Sequence, residues 1–383
     1  FVRLLVLGSV AVLAAPDAAA QKLFERQSPS ATGVAFRHNY DKITSLPKDS
    51  LGRINSMVPG CGVAIGDITS DGRPDLIFSS FGGLRVYRND GGWRFTDVTS
   101  GIGVPDDSLL FSTGVTLVDI DGDGDKDVFV TRWQNTCRLL INDGKGAFTE
   151  RAKAYGLDLL DENVHSVFAD FDRDGLLDCY IVVYSNYYAF VTKDRRSDQE
   201  IAAESERLQR EGAAIPRFQN PSGDPARERS ESVANMNSSE MRHKGRTDKL
   251  YRNLGNGTFR DVSYEAWIED EGMGLSATVG DINLDGWPDI YVANDFNSTD
   301  LIYLNNRDGS FAESMMKMTR RASVFSMGSD IADLTGDGLP DIITTDMLPA
   351  NHIRRIMNAG NNGDMSIFNP TYDSNQVSRN MVQ

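Results

Sequence analysis

A chain of 383 residues with 35 glycines, 55 acidic against 39 basic side chains and a net charge of −16 is turn-rich and acidic. Its overall field repels phosphate backbones and anionic lipid, which excludes nucleic acid and anionic membrane as partners held by bulk charge and makes a cation the natural one. The length fits one large all-β domain or two ordinary ones.

The first elements in chain order read as a secretory leader: Arg3, an apolar run from Leu4 to Ala15, then Ala18, Ala19 and Ala20 before Gln21. Residues 1–20 are therefore expected to be a signal peptide, and 21–383 a mature domain that is secreted, periplasmic or at the cell surface. No later stretch holds the roughly 20 apolar residues of a membrane span, so no transmembrane segment is expected. Cys61, Cys137 and Cys179 are odd in number, lack zinc spacing and each lie in or beside an apolar run, so all three read as small buried hydrophobes.

Five segments then share the pattern Asp-x-(Asp/Asn/Thr)-x-Asp-Gly-x-x-Asp: Asp67–Asp75, Asp119–Asp127, Asp170–Asp178, Asp281–Asp289 and Asp333–Asp341. Their starts are 52, 51, 111 and 52 residues apart. A second motif, a short apolar strand followed by Asn, a Gly-rich turn and Phe, places Asn89, Asn142, Asn253 and Asn305 at intervals of 53, 111 and 52. Two unrelated motifs on one period define a repeat. The 111-residue interval is one repeat plus a polar insertion at about 187–249, with a helix expected between Ser197 and Gly212; it is a solvated excursion or a lid.

Short apolar strands flank each acidic loop, as in Val115–Val118 and Val128–Val130, and the Asn-Gly turns join further short strands. Each period thus supplies four strands, the content of one propeller blade, and the fold expected is all-β, a β-propeller of four-stranded blades.

Carboxylates at loop positions 1, 3, 5 and 9 with a main-chain carbonyl at position 7 can surround one hard cation, and glycine at position 6 permits the turn that aims the carbonyl inward. The expected ligands are Asp67, Thr69, Asp71, Arg73 and Asp75 in loop 1; Asp119, Asp121, Asp123, Asp125 and Asp127 in loop 2; Asp170, Asp172, Asp174, Leu176 and Asp178 in loop 3. Loop 4 offers Asp281, Asn283, Asp285, Trp287 and Asp289, and loop 5 offers Asp333, Thr335, Asp337, Leu339 and Asp341. Arg73, Asp125, Leu176, Trp287 and Leu339 are the carbonyl positions. An all-protein oxygen set suits Ca²⁺ over Mg²⁺, with about five sites. Loops 2 and 3 are expected to be tightest, because Thr69, Asn283 and Thr335 are neutral. No Glu stands at position 12, so the position 9 aspartate must close each site.

These residues resemble the FG-GAP repeats of integrin α-chain propellers, and still more the bacterial proteins that join such repeats to an ASPIC/UnbV segment and are related to cartilage acidic protein. Asp281–Asp300 and Phe325–Leu348 carry most of the likeness, which spans about residues 60 to 348; no ASPIC/UnbV pattern follows. The resemblance implies a secreted or surface-exposed propeller.

Three functions stay open: a binding or adhesion module for an extracellular glycan or protein, a calcium-assisted polysaccharide lyase, and a structural spacer. The four histidines (His38, His165, His243, His352) have no triad or metal spacing, which favours binding over catalysis. The strand leaving each acidic loop carries the chain to the opposite end of the blade, where Arg132, Trp133, Tyr184, Asn294, Asp295, Phe296 and Asp346 form a candidate ligand face. The ring is expected to be incomplete, with the segment Gln376–Gln383 like the strand before an Asn turn in a truncated last blade and Phe24–Phe36 like the tail that follows a blade.

Overall fold

The strand that leaves each acidic loop is apolar on both pleat faces, and such a strand is stable only when both faces are covered. In the computed structural model, which describes residues 25–38, 60–107, 110–184, 246–269, 271–295, 299–319, 322–323, 326–346, 376–377 and 381–382, that covering comes from neighbouring blades. Asp178–Val183 and Asp289–Asn294 are buried at every position. The expected signal peptide and nearly all of the insertion, including its expected helix, lie outside the described residues.

Blade 1 is the antiparallel meander Val63–Gly66, Asp75–Ser80, Gly83–Gly91 and Arg94–Asp97. Blade 2 is Ser112–Val118, Asp127–Thr136, Arg138–Asn142 and Phe148–Glu150. Blade 3 is Leu160–Ala169, Asp178–Val183, Lys249–Asn253 and Phe259–Asp261, so its third strand resumes after the insertion. Blade 4 is Gly274–Gly280, Asp289–Asn294, Leu301–Asn305 and Phe311–Glu313. Blade 5 is Ser326–Ala332 and Asp341–Asp346, with Met381–Val382 paired antiparallel to Ile343 and Thr344 where the other blades have their third strand. The architecture is a partial β-propeller.

Period two in the second strand decides which blade each side chain meets. Tyr180 and Val182 join Ile290, Val292 and Tyr303 in the core between blades 3 and 4. Cys179, Ile181 and Val183, pointing the other way, join Phe129, Cys137 and Leu139 between blades 2 and 3. Equivalent cores fill the gaps between blades 1 and 2, with Ile77, Val86, Val128 and Leu140, and between blades 4 and 5, with Tyr291, Ile302 and Ile342. Cys137 and Cys179 are free and buried, and burial pushes the Cys137 thiol up to about 12; Cys61 departs from expectation and is exposed, since it lies ahead of the first strand of blade 1.

Near the axis the first strands of successive blades converge, and hydroxyls join them. Thr113 donates to the Asn163 carbonyl at 2.7 Å and Thr278 to that of Ser329 at 3.0 Å, while Thr131, on the second strand of blade 2, donates to the Val164 carbonyl at 2.9 Å. At the rim the residues that end one blade clasp the next: Phe148 N–H donates to Ile102 O at 2.7 Å, and Phe311 N–H to Ala266 O at 2.9 Å. Gly103, with φ 82, leaves so little room that an added Cβ would stand 2.0 Å from the Phe148 carbonyl oxygen. Gly33 stands in the same way against Phe95, so residues 28–36 take against blade 1 the place that residues 98–104 take against blade 2.

Candidate metal centre

All five acidic loops share one hydrogen-bond skeleton. The position 1 carboxylate accepts the position 6 glycine N–H: Gly72 on Asp67 at 2.7 Å, Gly124 on Asp119 at 3.0 Å, Gly175 on Asp170 at 3.0 Å, Gly286 on Asp281 at 2.8 Å and Gly338 on Asp333 at 2.9 Å. The position 5 carboxylate accepts the position 7 N–H at 2.9 Å in every loop, from Arg73, Asp125, Leu176, Trp287 and Leu339. That bond folds residue 7 back over the loop. Positions 4 and 6 both have left-handed backbone, including the non-glycines Ser70 (φ 55), Arg173 (φ 59) and Leu284 (φ 59).

The position 9 aspartate does two things. Asp75, Asp127, Asp178 and Asp289 are buried, and each accepts the position 2 N–H on one oxygen and the N–H of the repeat's asparagine on the other. Each oxygen keeps a lone pair, so bracing the hairpin does not preclude ligation. In loop 5, Asp341 accepts from Leu334 and Thr335.

Among the described residues, Asp119, Asp121 and Asp127 in loop 2 and Asp170, Asp172 and Asp174 in loop 3 bring carboxylate oxygens within 4.8 Å of one another. The carboxylates of loops 1, 4 and 5 are not grouped so closely. Crowding and burial raise several of these acids: burial, then neighbouring carboxylates, push Asp127 up to about 6 and Asp178 to about 7, while burial also raises Asp75 and Asp289. Asp333, in the exposed loop 5, is lowered instead by the N–H groups it accepts, chiefly that of Gly338. A divalent cation fits this donor set of hard oxygens. Asp170 Oδ1 is buried with no hydrogen-bond partner, an acceptor that lacks its positive counterpart.

The asparagines of the second motif are hubs that sequence reasoning used only as spacing markers. Asn142 Nδ2 donates to Lys126 O in its own blade and to Ile68 O in loop 1; Asn305 Nδ2 donates to Pro288 O and to Phe171 O in loop 3. Each thus ties its own loop to the preceding one. A second overlooked pair closes the far end of blades 3 and 4. Asp248 accepts from Tyr180 Oη and Val183 N, and Asp300 from Tyr291 Oη and Asn294 N. The repeated Thr-Asp-x-(Leu/Ile)-Tyr-x-Asn in residues 247–253 and 299–305 was the available signal.

The candidate ligand face is not an open surface. Arg132 is 2% exposed and bonds to Asp107 Oδ1 at 3.0 Å, in a triad with Arg138. Tyr184 is buried against Trp133, ring centroids 5.6 Å apart. Asn294 and Asp295 are buried, as is Asp346, which accepts Ser323 Oγ. Phe296 lies outside the described residues. Polar groups at these strand ends are buried because each finds an internal partner, and aromatics fill the wedge between blades. On the loop side, by contrast, a cavity of about 230 Å³ opens between blades 3 and 4. Arg252, Arg260, Glu265 and Trp267 line it together with Asp172 and Asp178 of loop 3.

A sequence profile for the FG-GAP-like repeat matches residues 67–130, 119–181, 238–292 and 281–344, more than half of the chain. The chain belongs to the FG-GAP-like repeat family. Three of the four matched windows run from the start of one acidic loop to beyond the next, so the family unit is the loop-to-loop period seen here. Cartilage acidic protein 1 of Xenopus tropicalis is 29% identical over 132 residues, covering 33% of this chain; the chain spans about a fifth of that relative, 20% of its length. Among solved structures, an Agrocybe aegerita lectin that recognises non-reducing terminal N-acetylglucosamine has a TM-score of 0.40 at 17% identity, covering 76% of this chain and 61% of that one. The biofilm matrix protein Bap1 of V. cholerae has 0.34 at 16%, covering 77% and 36%.

Proposed function

We propose that this FG-GAP-type propeller is a calcium-dependent binding module that works outside the cytoplasm, engaging an extracellular glycan or protein rather than catalysing a reaction. The observation that carries the reading is the skeleton common to five loops, which in loops 2 and 3 gathers three carboxylates within 4.8 Å of one another and leaves Asp170 Oδ1 buried without a donor. Calcium would be held in loop 3 by Asp170, Asp172, Asp174, Asp178 and the Leu176 carbonyl, and in the other loops by the corresponding residues. The ion supplies fixed positive charge that offsets carboxylate repulsion, so that the loops and the surfaces between them are set in place before a ligand arrives.

The cavity beside loop 3 is the place for that ligand. Trp267 offers an aromatic face, while Arg252, Arg260 and Glu265 offer planar polar groups, the combination suited to a sugar ring or an extended peptide. Melting curves of the purified chain in millimolar calcium and in chelator test the first part, and equal curves would overturn it. A glycan array in both conditions, repeated with Trp267→Ala, tests the second. Calcium-dependent binding abolished by that substitution is the expected result; binding that is indifferent to it would move the site elsewhere.

A further inference from the structure

The loop carboxylates are not equally free to turn toward an ion. In loop 1, Arg73 pairs with Asp71 at position 5. In loop 3, Arg252 from the third strand of blade 3 pairs with Asp172 at position 3. In loop 4, Arg307 from the turn after Asn305 pairs with Asp285 at position 5, 3.0 Å away. The three arginines come from different parts of the repeat: the loop itself, a strand and a turn. What recurs is a guanidinium on a carboxylate the ion would need. Among the described residues, loops 2 and 5 have no such ion pair, and of these two only loop 2 has three carboxylates, Asp119, Asp121 and Asp127, standing together.

A carboxylate committed to a guanidinium cannot turn to a divalent ion without bringing two cations to one site, and like charges at that range exclude one another. We propose that Arg73, Arg252 and Arg307 set the calcium affinities of their loops, so that loop 2 fills first and loops 1, 3 and 4 fill later, each releasing a guanidinium as it does. The proposal rests on the calcium reading above and adds the order of filling. It separates loops 2 and 3, which both carry carboxylates at positions 1, 3, 5 and 9 and look alike in sequence. It also makes Arg252 available to the cavity between blades 3 and 4 only once loop 3 is occupied.

Isothermal titration of the full chain with calcium tests the order. Asp123→Ala should delete the tightest step. Because partly exposed pairs contribute modestly, Arg252→Gln and Arg307→Gln should each tighten one later step by about two- to fivefold. Arg88→Gln is the control, since it removes the same charge from a pair with Asp90 outside the loops. Shifts no larger than the control's, or loss of a weak step in Asp123→Ala, would overturn the order of filling while leaving calcium binding intact. Absence of any calcium step would overturn the calcium reading itself.

Discussion

The guanidinium of Arg173, fourth residue of loop 3, lies 4.8 Å from the ring centroid of Trp287, seventh residue of loop 4. The same two positions meet between loops 1 and 2, where Ser70 Oγ donates to Asp125 Oδ1 at 3.0 Å. Between loops 2 and 3 position 4 is Gly122, which has no side chain to offer. Loops 1 and 2, and loops 3 and 4, are therefore in contact through position 4 on one and position 7 on the next. Arg173→Ala is expected to lower stability by about 0.5–1 kcal/mol, the range for an exposed cation–π pair. Urea unfolding in chelator reads this directly, and an unchanged midpoint would refute it.

Protonation opposes the ion. Asp178, raised to about 7, and Asp127, raised to about 6, retain protons in the metal-free fold that the unfolded chain, near an ordinary carboxylate value of about 3.9, has given up. Because the folded state binds more protons, the contribution of these two groups to metal-free stability is complete below about pH 4 and lost as pH rises through about 7. Calcium requires both ionised. Adding calcium to weakly buffered protein should therefore release more protons at pH 6 than at pH 8, as followed with an electrode. Equal release would contradict the assignment.

Asn305→Ala removes the amide that donates to Pro288 O at 3.2 Å and Phe171 O at 2.8 Å, leaving two carbonyls without that donor. A loss of about 1–3 kcal/mol is expected, the cost of unsatisfied buried polar groups. Asn306→Ala, whose Nδ2 reaches only Ser310 Oγ, should cost less than half as much. Thermal denaturation of both variants in chelator compares them without interference from the ion.

Arg132→Ala leaves Asp107 buried with Arg138 as its remaining guanidinium, so a destabilisation of up to about 3 kcal/mol is expected. A surface residue on a ligand face would change stability by less than about 0.5 kcal/mol. The two readings of this position differ enough for one denaturant titration to decide between them.

The period, the loops and the strand order were legible because each rests on local chemistry. An Asp-Gly turn with carboxylates at alternate positions, or an apolar run ending in Asn, announces itself within ten residues. What was not legible depends on partners far along the chain. Arg132 looks like a surface cation until Asp107 and Arg138 are brought beside it, and Asn305 looks like a turn residue until Phe171, 134 residues earlier, presents its carbonyl. The left-handed residues at position 4 were missed because only Gly122 and Gly336 mark them; Ser70, Arg173 and Leu284 adopt the conformation without the residue type that advertises it.

The clasp at the rim has a mechanical consequence. The outer strand of blade 2 is held at Phe148 by residues that end blade 1, and that of blade 4 at Phe311 by residues that end blade 3. A pull along the chain therefore loads each clasp together with the hydroxyl seam at the axis, so tension passes from blade to blade through two separate lines. A blade whose clasp has slipped frees the outer edge of its successor.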